Sequence, residues 1–201
     1  MILIGYSGHA FVVYGILKAA GHTITGYCDA GEKQHNPFNL SYFGTELSAE
    51  ALIALKQNGF FISVGDNNVR NRIFDQLTVK DLYPGNAIHP SAVIDNTVII
   101  APNGVMIAAH VSINPLATIG KGAICNTGCI IEHESVVGDF AHIGPGAVLC
   151  GNVKVGNNSF VGANAVIKQG VNIGNNVIIG AGAVVVKDVN DHLTVMGVPA
   201  K

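Results

Sequence analysis

Large aliphatic side chains recur at every sixth residue between Ile107 and Val185. Thirteen of these fourteen positions hold Ile, Val or Leu, and the residue four places further on is always small or β-branched. Three further hexapeptides begin at Ile88, Ile94 and Ile100. One inserted residue separates them from the long run that begins at Ile107. Neither a helix, with a period of about 3.6 residues, nor an ordinary strand, with a period of about 2, keeps this spacing. The pattern therefore predicts a parallel β-helix.

Three hexapeptides in such a fold make one triangular coil, so residues about eighteen apart stack on each other. Glycine follows the aliphatic residue directly in half of the fourteen windows and permits a tight backbone turn there. No single coil buries its own apolar face, and stability comes from the stacked neighbours. The repeat assigns residues 88–189 to the β-helix.

The N-terminal residues follow a different pattern, in which short apolar runs alternate with helix-like stretches. This alternation predicts a small α/β domain with a parallel sheet. Ser48 is placed to cap the second helix. The Pro-Gly-Asn segment at residues 84–86 marks the join, so we divide the chain into residues 1–83 and 84–201. The predicted strands are Ile2–Ile4, Thr23–Cys28 and Phe60–Val64, and the predicted helices are Phe11–Ala20, 48–58 and 69–79.

Ligands of parallel α/β domains bind beyond the carboxyl ends of the strands. A glycine-containing turn that opens a helix offers backbone N–H groups to a phosphate, and an acidic residue after the second strand accepts a sugar hydroxyl. The Gly-x-x-Gly spacing lacks the full dinucleotide motif, so a tight turn without a ligand is the alternative. The short domain favours a mononucleotide diphosphate. The candidate residues are Gly5, Ser7, Gly8, His9, Asp29, Gly65, Asp66 and Asn67.

Composition argues against several classes of function. The net charge of −2 indicates no surface for nucleic acid. No window approaches about eighteen uninterrupted apolar residues, and the start of the chain lacks the charged segment of a signal peptide. We therefore expect a cytoplasmic protein that does not enter a membrane.

Cys125 and Cys129 occupy inward repeat positions, which favours core packing over disulfides or metal binding.

A cluster of ionisable residues lies in the middle of the repeat: Glu132, His133 and Glu134, followed by His142. The third position of the hexapeptide points outwards, so we expect His133 on the outside of the prism. A carboxylate beside an imidazole favours its charged form and fixes its tautomer, which suits a general base. The alternative is a solvated surface turn.

The stacking of coils also predicts which of these residues meet. His133 and His142 are nine residues apart, half a coil, and should lie on different sides of one prism. Asn126 and His142 are sixteen apart and should meet near one corner, while Gly151 follows His133 by one full coil. If His133 and His142 serve one site, that site must join two chains.

Five segments together resemble the NeuD/PglD-like sugar O- and N-acetyltransferases, which are hexapeptide-repeat proteins with left-handed coils. The resemblance covers essentially the whole chain. The handedness of the coils follows from this resemblance and not from the spacing. The segments are Gly5–His9, the turn at Asp29, Ser63–Asn67, Asn126–Glu134 and Gly197–Lys201.

The resemblance implies transfer of acetyl from acetyl-CoA to the 4-amino group of a UDP-linked 4-amino-4,6-dideoxy-N-acetylhexosamine. It also implies a homotrimer with active sites between subunits, and no metal. Roles in the reaction follow for His133 as general base, Glu134 as its orienting partner, and Asn126 and His142. Contacts with the UDP-sugar follow for Gly5, Ser7, Gly8, His9, Asp29, Gly65, Asp66 and Asn67. Contacts with acetyl-CoA follow for His142, Gly151, Ala181 and Lys201.

Several alternatives stay open at this point. Ala30 stands where the nearest relatives are expected to carry a second acidic residue, which leaves the nucleoside open. O-acetylation of sialic acid or a related sugar is the nearest rival. A β-helical carbonic anhydrase would need three zinc-binding histidines, and His110, His133 and His142 include no close pair. A non-catalytic β-helix scaffold is the last alternative.

Overall fold

The N-terminal part of the chain is a four-stranded parallel sheet with helices on both faces. The computed structural model describes all 201 residues, and the strand order of this sheet is β3-β2-β1-β4. Helices α2 and α3 cover one face, and α1 packs between the other face and the rest of the chain. The elements are β1 (Ile2–Ile4), α1 (Gly8–Ala19), β2 (Gly26–Cys28), β3 (Ser41–Tyr42), α2 (Ala49–Asn58), β4 (Phe60–Ile62) and α3 (Asn67–Thr78).

The predicted alternation of strands and helices is confirmed, and the differences lie in the bounds. Helix α1 begins at Gly8 and not at Phe11, because the turn after β1 leads directly into it. Strands β2 and β4 are shorter than predicted, because β1 offers only three residues for each to pair with. Strand β3 adds to the predicted set; it has only two residues and neither is fully buried. Ser48 caps α2 as predicted, its hydroxyl accepting the Ala51 N–H at 3.2 Å.

The remainder of the chain forms three parallel sheets of seven, six and five short strands, stacked along one axis. Each strand has two residues. In the seven-stranded sheet they are β5 (Ala87–Ile88), β8 (Met106–Ile107), β11 (Ile124–Cys125), β14 (His142–Ile143), β17 (Phe160–Val161), β20 (Ile178–Ile179) and β22 (Thr194–Val195). In the six-stranded sheet they are β6 (Val93–Ile94), β9 (Ser112–Ile113), β12 (Ile130–Ile131), β15 (Val148–Leu149), β18 (Val166–Ile167) and β21 (Val184–Val185). In the five-stranded sheet they are β7 (Ile99–Ile100), β10 (Thr118–Ile119), β13 (Val136–Val137), β16 (Lys154–Val155) and β19 (Asn172–Ile173).

Strand register confirms the triangular coil. Ile124 of β11 pairs with His142 of β14, which pairs with Phe160 of β17, each step being eighteen residues. Strands β7 and β10 pair across nineteen residues, which accounts for the inserted residue in the sequence pattern. Strands β20 and β22 pair across sixteen, so the last coil is shorter and extends beyond residue 189.

The inside of the prism is closed to solvent, as the hexapeptide pattern predicts. Ile143, Leu149 and Val161 are fully buried, and Cys125 and Cys129 are buried free thiols. One cluster of 41 buried apolar residues runs from the α1 face of the N-terminal sheet through the coils. The two parts of the chain therefore share one continuous core, which holds them in a defined relative position.

Close stacking of the coils leaves no room for a side chain at several glycines. A Cβ on Gly156 would lie 2.5 Å from the carbonyl carbon of Gly174 in the next coil, whereas a Cβ on Gly15 of α1 would meet nothing within 4 Å.

We expect Gly156→Ala to lower the free energy of unfolding by about 1–3 kcal/mol, because the backbone must shift to admit the methyl group. We expect the matched Gly15→Ala to raise it by about 0.5–1 kcal/mol through helix propensity. Urea unfolding measures both, and equal midpoints would contradict the close stacking.

Candidate active site

A groove of about 500 Å³ follows the carboxyl ends of the N-terminal strands. We call it the strand-end groove. It brings together five of the predicted ligand residues, Gly5, Ser7, Asp29, Gly65 and Asp66. It also brings in three charged residues that the motif search missed, Lys33, Glu46 and Arg72. These three lie outside any recognised motif, and only the folded sheet places them at one edge.

Asp29 fixes the shape of this groove. Its carboxylate accepts the Tyr6 N–H at 2.8 Å and the Ala30 N–H at 2.7 Å, and it pairs with Lys33 Nζ at 2.8 Å. Both oxygens are thus engaged within the chain. The carboxylate joins the end of β2 to the turn after β1.

The turn after β1 leaves backbone N–H groups free at the start of α1. Gly5 has a φ of +85°, and a Cβ there would lie 2.5 Å from Val64 Cγ2, so only glycine suits the turn. Ser7 is the N-cap of α1, but its side chain makes no capping hydrogen bond, and the first turn has no acidic residue. The unpaired N–H groups and the helix dipole favour an anion here. Gly8 and His9 begin α1 and do not line the groove.

A second cavity of about 330 Å³ lies between the start of α3 and the β-helix. We call it the amide cavity, because Asn67, Asn68, Asn158 and Asn176 line it with Phe160 and Ile178. It shares Gly65 and Asp66 with the strand-end groove, so the two spaces are neighbours. Asn67 serves partly as a structural contact, because its Nδ2 donates to the Asn158 carbonyl at 2.9 Å.

Arg70 of α3 ties the turn after β4 to the β-helix. The side chain is 1% exposed. The guanidinium donates to the carbonyls of Val64 at 3.1 Å, Gly65 at 3.0 Å, Gly122 at 2.8 Å and Phe140 at 2.8 Å. Burial lowers the pKa of Arg70 to about 9, and the nearby Asp66 carboxylate opposes this shift.

The spacing of residues along α3 could have indicated that Arg70 is buried. Arg70 shares the inward face of α3 with Ile73, Phe74 and Leu77, which are all buried. A charged residue at an apolar helical position is buried only if its hydrogen bonds are satisfied. The identity of its partners required the fold, since two of them lie more than fifty residues away.

His9 and His142 face each other across the junction of the two domains. Their ring centroids are 6.1 Å apart, and His142 is 7% exposed. Asn126 Nδ2 lies 3.1 Å from His142 Nε2, which confirms the predicted meeting of these residues. Because Asn126 Oδ1 accepts the Thr127 N–H at 2.8 Å, its amide donates to His142 Nε2. Neutral His142 then carries its proton on Nδ1, which has no hydrogen-bond partner, as is also true of His9 Nε2.

Both histidines are held neutral. Desolvation is the main cause for each, and the Arg70 cation adds to it. The pKa of His9 is lowered to about 4. The pKa of His142 is lowered to about 3, with a further contribution from His9, while the Gly65 backbone acts in the opposite direction. The junction therefore holds two buried, uncharged imidazoles at neutral pH.

His133 lies at a different corner of the prism, in the turn between β12 and β13. Its side chain is 50% exposed, as predicted for an outward position, and its Nδ1 lies 3.1 Å from Glu134 Oε2. Glu134 has a φ of +59°, the left-handed turn conformation that several hexapeptides adopt at this position. The His133 ring covers Gly151 of the next coil so closely that a methyl group there would collide with it. One chain therefore does not bring His133 to His142.

Two family descriptions match the chain: PglD N-terminal domain over residues 1–77, and bacterial transferase hexapeptide (six repeats) over residues 134–169 and 152–187. A histidine-to-alanine mutant of GDP-perosamine N-acetyltransferase from Caulobacter crescentus, solved with CoA and GDP-perosamine, is 37% identical. The alignment covers 100% of this chain and 94% of that one, with a TM-score of 0.92. The acetyltransferase domain of PglB from Neisseria gonorrhoeae, solved with acetyl coenzyme A, is 32% identical. That alignment covers 100% of this chain and 97% of the PglB domain, with a TM-score of 0.91.

PerB from Caulobacter crescentus, solved with CoA and GDP-perosamine, is 38% identical over 100% of this chain and 95% of its own, with a TM-score of 0.91. The chain belongs to the NeuD/PglD-like sugar acetyltransferases. It is an acetyl-CoA-dependent enzyme, and its β-helix is left-handed, as the resemblance implies. This membership removes the scaffold and carbonic anhydrase alternatives.

The residues that the family resemblance implies as contacts for acetyl-CoA lie at separate places on this acetyltransferase. Gly151 lies under His133, whereas Ala181 lies in the turn between β20 and β21, on the side of Asn126. Lys201 ends the chain, where its backbone exchanges hydrogen bonds with Met196. No helix of the acetyltransferase has the length and hydropathy of a membrane crossing, and the cytoplasmic location stays a prediction.

The buried histidines make the stability of the acetyltransferase depend on pH. Unfolded His142 binds a proton below a pKa of 6.5, whereas folded His142 binds one only below about 3. The contribution of His142 to the free energy of unfolding is therefore fully present above pH 6.5, and it is lost as the pH is lowered towards 3. Urea unfolding should give a free energy about 2 kcal/mol lower at pH 5 than at pH 7 from His142 alone, with His9 adding in the same direction.

The variant His142→Gln should flatten this pH dependence, and His133→Gln, which alters the half-exposed histidine, is the matched control. The same slope in His142→Gln and the native chain would contradict the buried neutral state of His142.

Proposed function

We propose that the enzyme transfers acetyl from acetyl-CoA to the 4-amino group of a nucleotide-linked 4-amino-4,6-dideoxy sugar. A UDP-linked N-acetylhexosamine is the acceptor that the sequence resemblance favours. The observation that carries the proposal is the adjacency of the strand-end groove and the amide cavity. A nucleotide lies in the first, and its sugar passes Gly65 and Asp66 into the second, against the β-helix.

Two features of the strand-end groove suit a diphosphate, an unpaired arginine and the start of α1. Arg72 is the cation there that makes no ion pair within the chain, whereas Lys33 is engaged by Asp29. The free N–H groups of α1 supply further donors beside Ser7. In the amide cavity the asparagine side chains and the Asp66 carboxylate offer both donors and acceptors to sugar hydroxyls.

His133 acts as the general base in this proposal. The acceptor amine attacks the thioester carbonyl and His133 Nε2 removes a proton from it, while Glu134 holds Nδ1. A bond forms between the amine nitrogen and the acetyl carbon, the bond from that carbon to sulfur breaks, and the CoA thiolate leaves and gains a proton. A backbone N–H or His142 stabilises the oxyanion. No acyl-enzyme is needed.

If His133 and His142 serve one site, two chains must complete it, because these residues lie on different sides of one prism. We propose a homotrimer in which the corner of His133 and Gly151 faces the sheet of His142 in a neighbouring chain. Acetyl-CoA then lies between the two β-helices and reaches Ala181 and Lys201 on one of them. Full activity in a monomer would contradict this arrangement.

A GDP-linked acceptor is the second candidate. Two solved structures with 37% and 38% identity to this chain contain GDP-perosamine. The protein chemistry at the reacting amine is the same for either nucleotide, so the choice concerns only the far end of the strand-end groove.

The acceptor is tested by CoA release from acetyl-CoA with four acceptors in parallel: UDP- and GDP-linked 4-amino-4,6-dideoxy sugars, sialic acid, and water alone. We expect rapid release with a nucleotide-linked amine and only the background rate with sialic acid. Release with sialic acid alone would replace N-acetylation by O-acetylation. Product mass, increased by one acetyl group, is the control for simple thioester hydrolysis.

Replacing the general base should affect turnover without unfolding the chain. His133→Ala should lower kcat by about 10²- to 10⁴-fold, the usual contribution of a general base. The KM for the acceptor should change little, since other residues line the strand-end groove and the amide cavity and make the contacts with the nucleotide and the sugar. His110→Ala, at another outward turn of the repeat, is the matched control. A His133→Ala enzyme with native turnover would exclude this residue from the mechanism.

A further inference from the structure

Glu46 is a carboxylate of the strand-end groove that has no partner within the chain. It lies between β3 and α2 and is half-buried, yet its side chain forms no hydrogen bond and no ion pair. Its charge lies close enough to the end of β2 to add to the raised pKa of Cys28, which burial mainly causes. The other two carboxylates of the groove are engaged: Asp29 holds Tyr6, Ala30 and Lys33, and Asp66 caps α3.

Glu46 lies in the loop after β3, the edge strand on the opposite side of the sheet from β4. The sheet order is β3-β2-β1-β4, and the turn after β4 contacts the β-helix through Asn67 and Arg70. A sugar that is acetylated at the β-helix must therefore lie at the β4 end. Its diphosphate then lies beside the turn after β1. The nucleoside continues past Asp29 at the end of β2, and the base reaches Glu46 after β3.

The nucleobases differ in what they offer to a carboxylate. Guanine carries two neighbouring donors, N1–H and the 2-amino group, which match the two acceptor oxygens of one carboxylate. Uracil carries a single donor, N3–H, between two carbonyl oxygens that a carboxylate repels. Adenine and cytosine each place an acceptor beside their amino group. Guanine is therefore the base whose edge satisfies an unpartnered carboxylate completely.

We propose, on the basis of the proposed function, that Glu46 is the residue that determines nucleotide specificity and that it selects a guanosine diphosphate-linked sugar over the uridine form. Glu46 accepts N1–H and the 2-amino group of guanine and takes no part in acetyl transfer. Glutamine at this position would present one acceptor and one donor, a pair that suits uracil better than guanine.

Binding of GDP and of UDP, each without sugar, tests this by titration calorimetry on the full chain. The native protein should bind GDP more tightly than UDP. Glu46→Gln should weaken GDP binding roughly 10- to 100-fold, the effect of losing a charged hydrogen-bond pair, and should leave UDP binding equal or tighter. Glu50→Gln is the matched control, because Glu50 is an exposed acidic residue of α2 outside the strand-end groove. Glu50→Gln should bind both nucleotides as the native chain does.

The kinetic counterpart uses GDP- and UDP-linked forms of one 4-amino sugar. Glu46→Gln should raise the KM for the GDP form while kcat at saturation stays native. Tighter native binding of UDP than of GDP would overturn the role of Glu46, as would an equal loss of both nucleotides in Glu46→Gln. A guanine preference that depends on Glu46, found without acetyl transfer to either sugar, would support the role of Glu46 and refute the proposed function alone.

Discussion

The guanidinium of Arg70 holds the two parts of the site in place. It joins the carbonyls of the turn after β4 to carbonyls of two successive coils of the β-helix. No carboxylate compensates the charge by a direct contact, so its hydrogen bonds must replace solvent entirely. A buried cation of this kind tolerates little movement of its acceptors. The strand-end groove and the amide cavity share the turn that Arg70 holds, and their alignment depends on it.

The same cation shapes the electrostatics of the junction. Desolvation, with the field of this cation added to it, lowers the pKa of His9 and of His142, so both are neutral at physiological pH. Protonation of either would place a second buried positive charge beside Arg70. The junction thus combines a fixed cation, which holds backbone carbonyls in place, with two buried neutral imidazoles. His133 differs in being half-exposed and paired with Glu134.

The triangular coil places the candidate catalytic residues on different sides of the prism. His142 and Asn126 belong to the side against which the N-terminal domain packs, and His133 stands over Gly151 at another corner. This separation follows from an interval of nine residues in a coil of eighteen. A site that uses both histidines requires a second chain, whereas the proposed number of three subunits follows from the family resemblance.

Much of the structure follows from intervals along the chain. The six-residue period predicts the β-helix, the closed interior with Cys125 and Cys129, and the contacts of Asn126 with His142 and of His133 with Gly151. Ser48 as a helix cap and the strand-helix alternation are equally local signals. The period also reveals the extra residue of the first coil, because an insertion shifts the pattern. Strand lengths were less predictable, since they depend on how many residues a neighbour offers for pairing.

The sequence by itself determined the periodic fold, the family and the outward position of His133, because each depends on short-range order or on contiguous motifs. Only the tertiary structure decided which distant groups meet. The partners of Arg70, the burial of His142 beneath His9, and the gathering of Lys33, Glu46 and Arg72 at one edge have no constant spacing. The physical reason is that side-chain desolvation and long-range hydrogen bonding arise from the packing of one domain on another, and no repeat along the chain encodes them.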